Sequence, residues 1–492
     1  MILKGFNPYF AFEYLIRNKY EGWRSLGGIL LCFTGVEALF ADIGAFSRRA
    51  VQISWLGYAY PCLLLAYCGQ AAHISVFPEA FSNPFYNSVP HGWLIPSLII
   101  ALLAAIVASQ AMITATFQLL TQIMKLSYFP QVKVVHTSKT YHGQLYVPVA
   151  NWLLMIGTVI VAAVFNNTTS LGNAYGVCVM FVTFFDTCMV TLVAILVWRI
   201  KPYFVFLPWL VIACLDGTFL SSVLTKVPDG AWFTLLLASL LAGVFILWRF
   251  GKEQQWHAEA EDRFPTTHFV KTNDAGDLQL TELYGAKVLS RAQGFGVFFD
   301  KAGETTPIIF SQFIRKLVTA PEIIVFFHLR PLDQPSVTPA ERYSVTRLAA
   351  PNGYRVVVRH GYMDEVITPD LAALVYEQVQ RHIIGRALER EGEKGVTITT
   401  TATEIPTGSS ASLRAPSTGS TSSRLESLER AFNHEVLYII GKEQMKIKPG
   451  TNVVRKVLLE AFLFLRDNTR AKIASLKVPM DKVIEVGFVK EL

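Results

Sequence analysis

Between Leu94 and Leu119 the chain runs without a single Asp, Glu, Lys or Arg, and comparable apolar stretches recur before residue 250. About 20 such residues are what an α-helix needs to cross the hydrocarbon of a bilayer, where a helix satisfies all of its own backbone polar groups. Composition agrees: 52% of the 492 residues are hydrophobic and 16% charged, against roughly 25% charged in soluble proteins. A water-soluble globule is therefore not expected. The expected fold class is a polytopic α-helical membrane protein whose more highly charged second half forms a large soluble tail. The net charge of +7 is scattered, with no basic-aromatic stripe, so nucleic acid is not an expected partner. All six cysteines, Cys32, Cys62, Cys68, Cys178, Cys188 and Cys214, lie inside apolar stretches, where Cys behaves as a small hydrophobe. Neither a disulfide framework nor a zinc site is expected, and no cofactor is.

Taking about 20 residues per crossing, seven spans are expected, at about 26–46, 53–72, 94–119, 149–165, 171–198, 204–224 and 232–248. Residues 1–25 then lie on the outer side, a segment that the resemblance described below makes an outer connection, and 250–492 form a tail. An odd number of crossings puts the ends of this region on opposite sides, and the basic tail beyond Arg249 is expected in the cytoplasm. Alternate loops carry Arg48 and Arg49, then Lys125, Lys133 and Lys139, then Arg199 and Lys201, while the stretch between Ala72 and Trp93 has neither Lys nor Arg. The residues before Leu26 disagree, since Lys4, Arg17, Lys19 and Arg24 favour the cytoplasm. Met1 opens without a signal-peptide pattern. The sequons at Asn166 and Asn167 occupy too short an outer loop for ready glycosylation.

Acids inside the membrane carry the most information, because each costs about 3 kcal/mol at a helix centre and persists mainly where it faces protein or water. Thr34-Gly35-Val36-Glu37 and Asp42 fall near mid-depth of the first span, where Gly35 and Gly44 can relax the backbone. Freed carbonyls at such a broken helix, with the Thr34 hydroxyl, offer hard oxygen ligands, and Glu37 can take up or release a charge as an ion or proton binds. The competing reading has Glu37 bonding a neighbouring span and Asp42 meeting Arg48 and Arg49 at the inner headgroups. Asp186 and Asp216 either line a water path or join helices. Asn173-Ala174-Tyr175-Gly176 suits small-residue packing with an interfacial tyrosine better than a vestibule. Ser109-Gln110-Ala111-Met112-Ile113-Thr114 reads as close packing. His136 and His142 lack further ligands nearby, so they are not expected to hold a metal.

From Thr34 to Ser47 the sequence TGVEALFADIGAFS resembles the signature of the KT/HAK/KUP family of potassium uptake transporters. Similar segments follow in family order: Tyr60-Pro61 through Tyr67, Gly69-Gln70-Ala71-Ala72, Ser109–Ile113, Lys133–Ser138, Gly172–Gly176 and Lys226-Val227-Pro228-Asp229-Gly230-Ala231-Trp232. The tail adds Gly294–Phe299, Pro307–Phe310 and Arg359-His360-Gly361-Tyr362-Met363-Asp364. The resemblance implies a leucine-transporter-like bundle of the APC superfamily, with inverted repeats and broken first and sixth helices, that takes up K⁺ and in many members couples it to protons. It identifies the first span here with the broken sixth helix, so the first five spans are expected to be missing and the bundle partial. It also implies an ion site of Thr34, Gly35 and Glu37, with Asp42, Tyr175 and Asp216 on an ion pathway. Asp216 stands where the family commonly has glutamate, and Asp186 receives no role.

In the tail, apolar alternation predicts strands at about 296–300, 322–328, 354–358, 436–440 and 483–488, with helices over 307–318, 368–384 and 450–468. This is a small α/β domain, read as dimerising or regulating. A Thr/Ser/Gly/Pro-rich insert at about 395–424 is expected to be a disordered linker, a phosphorylation target being the alternative. No phosphate loop, triad or paired catalytic carboxylates appear, and Gly294-Phe295-Gly296 is too short for a dinucleotide fingerprint. The chain is therefore not read as an enzyme. The leading reading is a plasma-membrane K⁺ transporter, with K⁺, protons and lipid as its partners and a homodimer forming through the tail. Its rivals are an organic-solute permease of the same fold and a non-transporting scaffold.

Overall fold

A computed structural model of the chain describes residues 2–32, 46–139, 141, 143–165, 167–273, 277–300, 305–364, 371–400, 419–469 and 479–491. They fall into two compact units, Met1–Arg249 and Phe250–Leu492.

The first unit is helical. Helix α1 (Tyr9–Ile29) opens where the Asn7 side chain accepts a hydrogen bond from Tyr9 N, bends at Lys19, where φ is 46°, and tightens into a 3₁₀ turn over Leu30–Cys32. Helix structure thus begins well before the expected membrane boundary at residue 26. The Ser47 hydroxyl caps α2 (Arg48–Ser54), which continues through a π-turn, Trp55–Ala59, into α3 (Tyr60–Val76). Pro61 accounts for the π-turn, since it has no N–H for an i→i−4 bond and its ring crowds the carbonyl one turn back.

Helices α4 (Leu94–Lys125), α5 (Pro148–Val164), α6 (Thr168–Leu196), α7 (Pro202–Leu224) and α8 (Trp232–Ala260) follow. The Asn167 side chain caps α6 by accepting from Thr169 N. Among the described residues, four helical stretches are long and apolar enough to cross a bilayer: α4, α6, α7 and Val227–Ala260, which includes α8. Helix α5 is apolar but has only 17 residues, α3 likewise has 17, and most of the first expected span lies outside the described residues. A polytopic helical membrane domain is secure on this count.

The second unit is an α/β domain. Strands β1 (Ser290–Asp300), β2 (Thr319–Pro331), β3 (Tyr343–Arg347), β4 (Gly353–His360), β5 (Val436–Lys446) and β6 (Val483–Glu491) form one sheet in the order β6-β5-β1-β2-β4-β3. All neighbouring pairs are parallel except the edge pair β3 and β4. A parallel sheet needs cover on both faces. Helices α10 (Leu371–Thr400) and α11 (Gly419–His434) cover one, packing Leu371, Val375, Val379 and Leu428 on Phe295, Val325 and Val356. Helix α9 (Ile308–Leu317) covers the other, setting Phe310 edge-on to Phe298 at 5.2 Å between ring centres. Helix α12 (Val453–Asp467) connects β5 to β6.

The two glycines of Gly294-Phe295-Gly296 serve this sheet. Gly294, at φ +123°, makes the bulge where the β1–β2 register shifts, and a Cβ there would press on the Glu435 carbonyl. Gly296 leaves room for Pro321.

The expected insert at 395–424 requires correction at both ends. Helix α10 extends to Thr400 and α11 starts at Gly419, and the remainder of the expected linker, 401–418, lies outside the described residues. The reason is the apolar series Leu425, Leu428 and Ala431, whose helical spacing buries one face of α11 against the sheet. Arg424, on the same helix, helps offset the burial that pushes the Tyr354 hydroxyl up. Strand β3 and the start of α11 had no distinct sequence signal.

Candidate functional site

Thr34, Gly35, Glu37 and Asp42 lie outside the described residues, so the site is read from what holds the chain on either side of them. On the near side stands a small apolar layer. Leu30, fully buried, packs with Val177 and Met180 of α6, Val223 of α7 and Ala231 of the π-turn Val227–Ala231. A Cβ on Gly176 would stand 3.7 Å from both Leu30 and Val223, so glycine there lets three helices meet closely.

Polar groups fix the same junction. The Ser222 hydroxyl, fully buried, accepts from Gly27 N at 3.2 Å and donates to the Arg24 carbonyl at 3.2 Å. Trp23 Nε1 donates to Ser221 Oγ at 3.1 Å. The Lys226 side chain lies over Gly27, where a Cβ would come within 3.1 Å of Cε and Nζ. The end of α1 is thereby locked to α7. One residue before the undescribed segment, the Tyr67 hydroxyl of α3 donates to the Cys32 carbonyl at 2.9 Å. The tyrosine thus gives this carbonyl a partner from another helix.

On the far side, Phe46 borders a cavity of about 360 Å³ lined also by Gln110, Ala111 and Thr114 of α4 and by Thr137, Gln144 and Leu145. Its amide and hydroxyl oxygens are the hard donors that an alkali cation or water prefers. Thr137 and Gln144 flank a two-stranded ribbon, Val135–His136 with Leu145–Tyr146, which Phe117 and Val147 anchor to α4 and α5. The motif Ser109–Thr114 therefore does more than pack: its Gln110 and Thr114 face this cavity. The Thr114 hydroxyl also bonds the Gln110 carbonyl at 3.0 Å, so its hydrogen is already placed.

The remaining pathway residues are not brought together. Tyr175 is 41% exposed, on the flank of α6 beside the buried Ala174 and Gly176. Asp216 accepts a 2.7 Å hydrogen bond from the Thr187 hydroxyl and so joins α7 to α6. Thr187 is twelve residues beyond Tyr175, about 18 Å along the helix, so these two do not share a site. Asp186 is exposed on α6. The Asn173 amide donates to the Asp229 carbonyl at 3.3 Å, and Gly230, at φ +120°, leaves room for Ser170, so Lys226–Trp232 is the turn on which α6 begins. Sequence reading missed the parts of Tyr67, Ser222 and Gly230. Tyr67 and Gly230 stood inside the family-like motifs, whereas nothing distinguished Ser222 from other small residues. Among the described residues no group of three or more His, Cys, Asp or Glu could hold a metal ion.

In the tail, Arg359–Asp364 is a structural clasp. One Asp364 oxygen accepts from Ser336 Oγ at 2.7 Å, and the other from Val337 N at 3.1 Å and Gly361 N at 2.9 Å. These bonds, led by that from Ser336, hold the carboxyl at about 2, below its usual 3.8. Gly361 is required because its α-carbon lies against the Pro335 and Gln334 carbonyls.

Comparison with known proteins fits both units. Residues 1–253 match the description of the K⁺ potassium transporter integral membrane domain, and residues 293–492 that of the K⁺ potassium transporter C-terminal domain. The first match begins at residue 1 and gives no support to the expectation that five spans are missing. Potassium transporter 5 of Manihot esculenta is 31% identical across 100% of this chain and 65% of its own length. Potassium transporter 5 of Arabidopsis thaliana is 30% identical with the same coverage, and putative potassium transporter 12 of that plant is 32% identical across 99% of this chain and 62% of its own. The chain thus spans just under two thirds of the length of these relatives. No solved structure matches it. With both domains present in order, in a family of transporters and not of enzymes, the chain belongs to the K⁺ potassium transporter family.

Proposed function

We propose that this protein acts in the uptake of K⁺ across a membrane, coupled to the movement of protons. The observation that carries the reading is the ordered presence of the family's integral-membrane and C-terminal domains on one chain. The ion is held by Thr34 and the backbone around Gly35, and Glu37 exchanges a proton against it. Asp42, Tyr175 and Asp216 belong to the path. Residues 26–249 form part of a leucine-transporter-like bundle with seven spans, the tail lies in the cytoplasm beneath the plasma membrane, and two copies associate through it.

Two features support an ion site beyond Cys32. The helix end is fixed by Ser222 and by Tyr67, and fixed carbonyls can replace an ion's hydration shell at little reorganisation cost. K⁺ and a proton then compete for one carboxylate, so occupancy by either is linked to the other.

The test is rubidium uptake by cells that lack their own K⁺ uptake, as a function of external pH. Glu37→Gln is expected to lower the rate and flatten the pH dependence, Asp42→Asn to do less, and Thr34→Val to weaken apparent affinity while keeping the pH dependence. A Glu37→Gln protein with the original rate and pH profile overturns the proton role.

A further inference from the structure

Helix α12 is amphipathic in an unusual sense. Leu459 and Phe462 are fully buried against the C-terminal unit, as the inner face of a surface helix should be. At 100° per residue, Val453, Val454, Val457 and Phe464 occupy the opposite arc. All four are exposed, Val453 by 74%, Val457 by 59% and Phe464 by 69%. The outer face is therefore largely apolar, with the exposed Lys456–Glu460 pair at its margin, and among the described residues nothing covers the apolar part. A contiguous apolar patch of this kind marks an interface.

The place of α12 in its unit narrows the partner. The Phe462 ring lies directly against Gly251, leaving no room for a side chain there. Seven residues earlier, Arg455 Nη2 donates to Gln254 Oε1 at 2.7 Å. Both contacts fall on α8, whose apolar run ends at Trp248, three residues before Gly251. Helix α12 is thus fastened to the first turn of α8 beyond its membrane-crossing stretch.

Charge points the same way. From Lys446 to Glu460 the chain carries Lys446, Lys448, Arg455 and Lys456 against a single acid, Glu460, which lies 3.9 Å from Lys456. Basic residues beside an apolar arc are the combination that holds a helix in the headgroup region of an anionic leaflet, each cation contributing about 1 kcal/mol near the surface.

We propose that α12 is an interfacial helix, with Val453, Val457 and Phe464 seated at the boundary between headgroups and acyl chains and its basic N-terminal flank bound to anionic phospholipid. The tail is held to the membrane by this helix as well as by its covalent link to α8. The proposal does not depend on which ion the protein carries or on whether it carries one.

The experiment uses the full chain in vesicles of phosphatidylcholine with roughly one-third phosphatidylglycerol, the anionic share that such a flank would sense. Phe464→p-benzoylphenylalanine and Val457→p-benzoylphenylalanine are irradiated separately, and the adducts are identified by mass. Glu429, exposed on α11, receives the same probe as a control. Phospholipid adducts are expected at 464 and 457 and not at 429, with phosphatidylglycerol over-represented by about three-fold relative to its share. A cross-link to a second copy or to another part of the same chain, or no adduct at either position, overturns the proposal. Adducts in strict proportion to lipid composition overturn its electrostatic part. Both probed side chains are exposed, and the second position decides the matter if the first variant loses its monodisperse elution.

Discussion

Replacing Asp364 by Asn removes a charge from the tail while keeping nearly the same shape, and the structure gives the size of the effect. A fall of the carboxyl from 3.8 to about 2 corresponds to roughly 2 kcal/mol of preference for the charged form in the folded state. Asp364 is partly exposed, and solvent screening reduces this to about 1–2 kcal/mol. Asn retains one oxygen for the Val337 and Gly361 N–H groups, and the Ser336 hydroxyl can turn to accept from the new amide, so Asp364→Asn should lose about that amount and no more. Asp364→Ala strands both N–H groups and should cost about 2–4 kcal/mol. The folded-state value lies below the unfolded one, so the contribution is fully present above about pH 4 and is lost as pH falls from there through about 2. Hydrogen exchange of the full chain in detergent, corrected for intrinsic rates, reads this at the amides of Val337 and Gly361. Asp364→Asn should accelerate their exchange about 5- to 30-fold at pH 6 and leave little difference near pH 2. An Asn variant with the original protection at pH 6, or an undiminished difference at low pH, would refute the reasoning.

Ser222→Ala should destabilise the membrane unit by about 1–2 kcal/mol, since it removes a fully buried hydroxyl bonded to both Gly27 and Arg24, and thermal unfolding in detergent checks this. Thr187→Val should loosen the contact between α6 and α7 by about 0.6 kcal/mol, with about 1.7 as the upper limit, by the same assay. Gly251→Leu should displace the Phe462 ring and cost about 1–3 kcal/mol, seen as faster proteolysis within α12. Excision of 401–418, the part of the expected linker outside the described residues, should shift the unfolding temperature of the tail by no more than about 2 °C, because closure entropy grows only slowly with length.

In the tail, strand and helix positions were legible because a parallel sheet covered on both faces writes continuous apolar runs, as in Gly296-Val297-Phe298-Phe299 and Ile323-Ile324-Val325-Phe326-Phe327. The structure lengthens each strand beyond its apolar centre. Residues such as Ser290, Arg291 and Lys446 pair through backbone alone, and backbone pairing leaves no mark in side-chain pattern. The edge strand Tyr343–Arg347 was illegible for the same reason: one partner and a half-exposed face permit almost any residue. The insert boundary failed differently. A Ser/Thr-rich beginning hid a helix whose apolar face starts only at Leu425.

In the membrane half, the acids and glycines drew attention first, because an ionisable group in hydrocarbon has so few structural excuses. What binds the helices together around them is chemically quieter. Ser222, Tyr67 and Gly230 act through one hydroxyl, one phenol and one missing side chain, and each has its effect only against a backbone partner far away in sequence. No residue-by-residue pattern encodes which carbonyl a tyrosine will reach 35 positions away. On the proposed reading those contacts hold the turn at Leu30–Cys32 that leads to Thr34 and Glu37, and an ion site is selective only if its oxygens are held. Tyr67→Phe should therefore weaken apparent rubidium affinity by a few-fold while leaving the pH dependence of uptake intact, because it frees the Cys32 carbonyl without touching a charge. A Tyr67→Phe protein with unchanged affinity would show that the bond to Cys32 lies too far from the ion to orient its ligands.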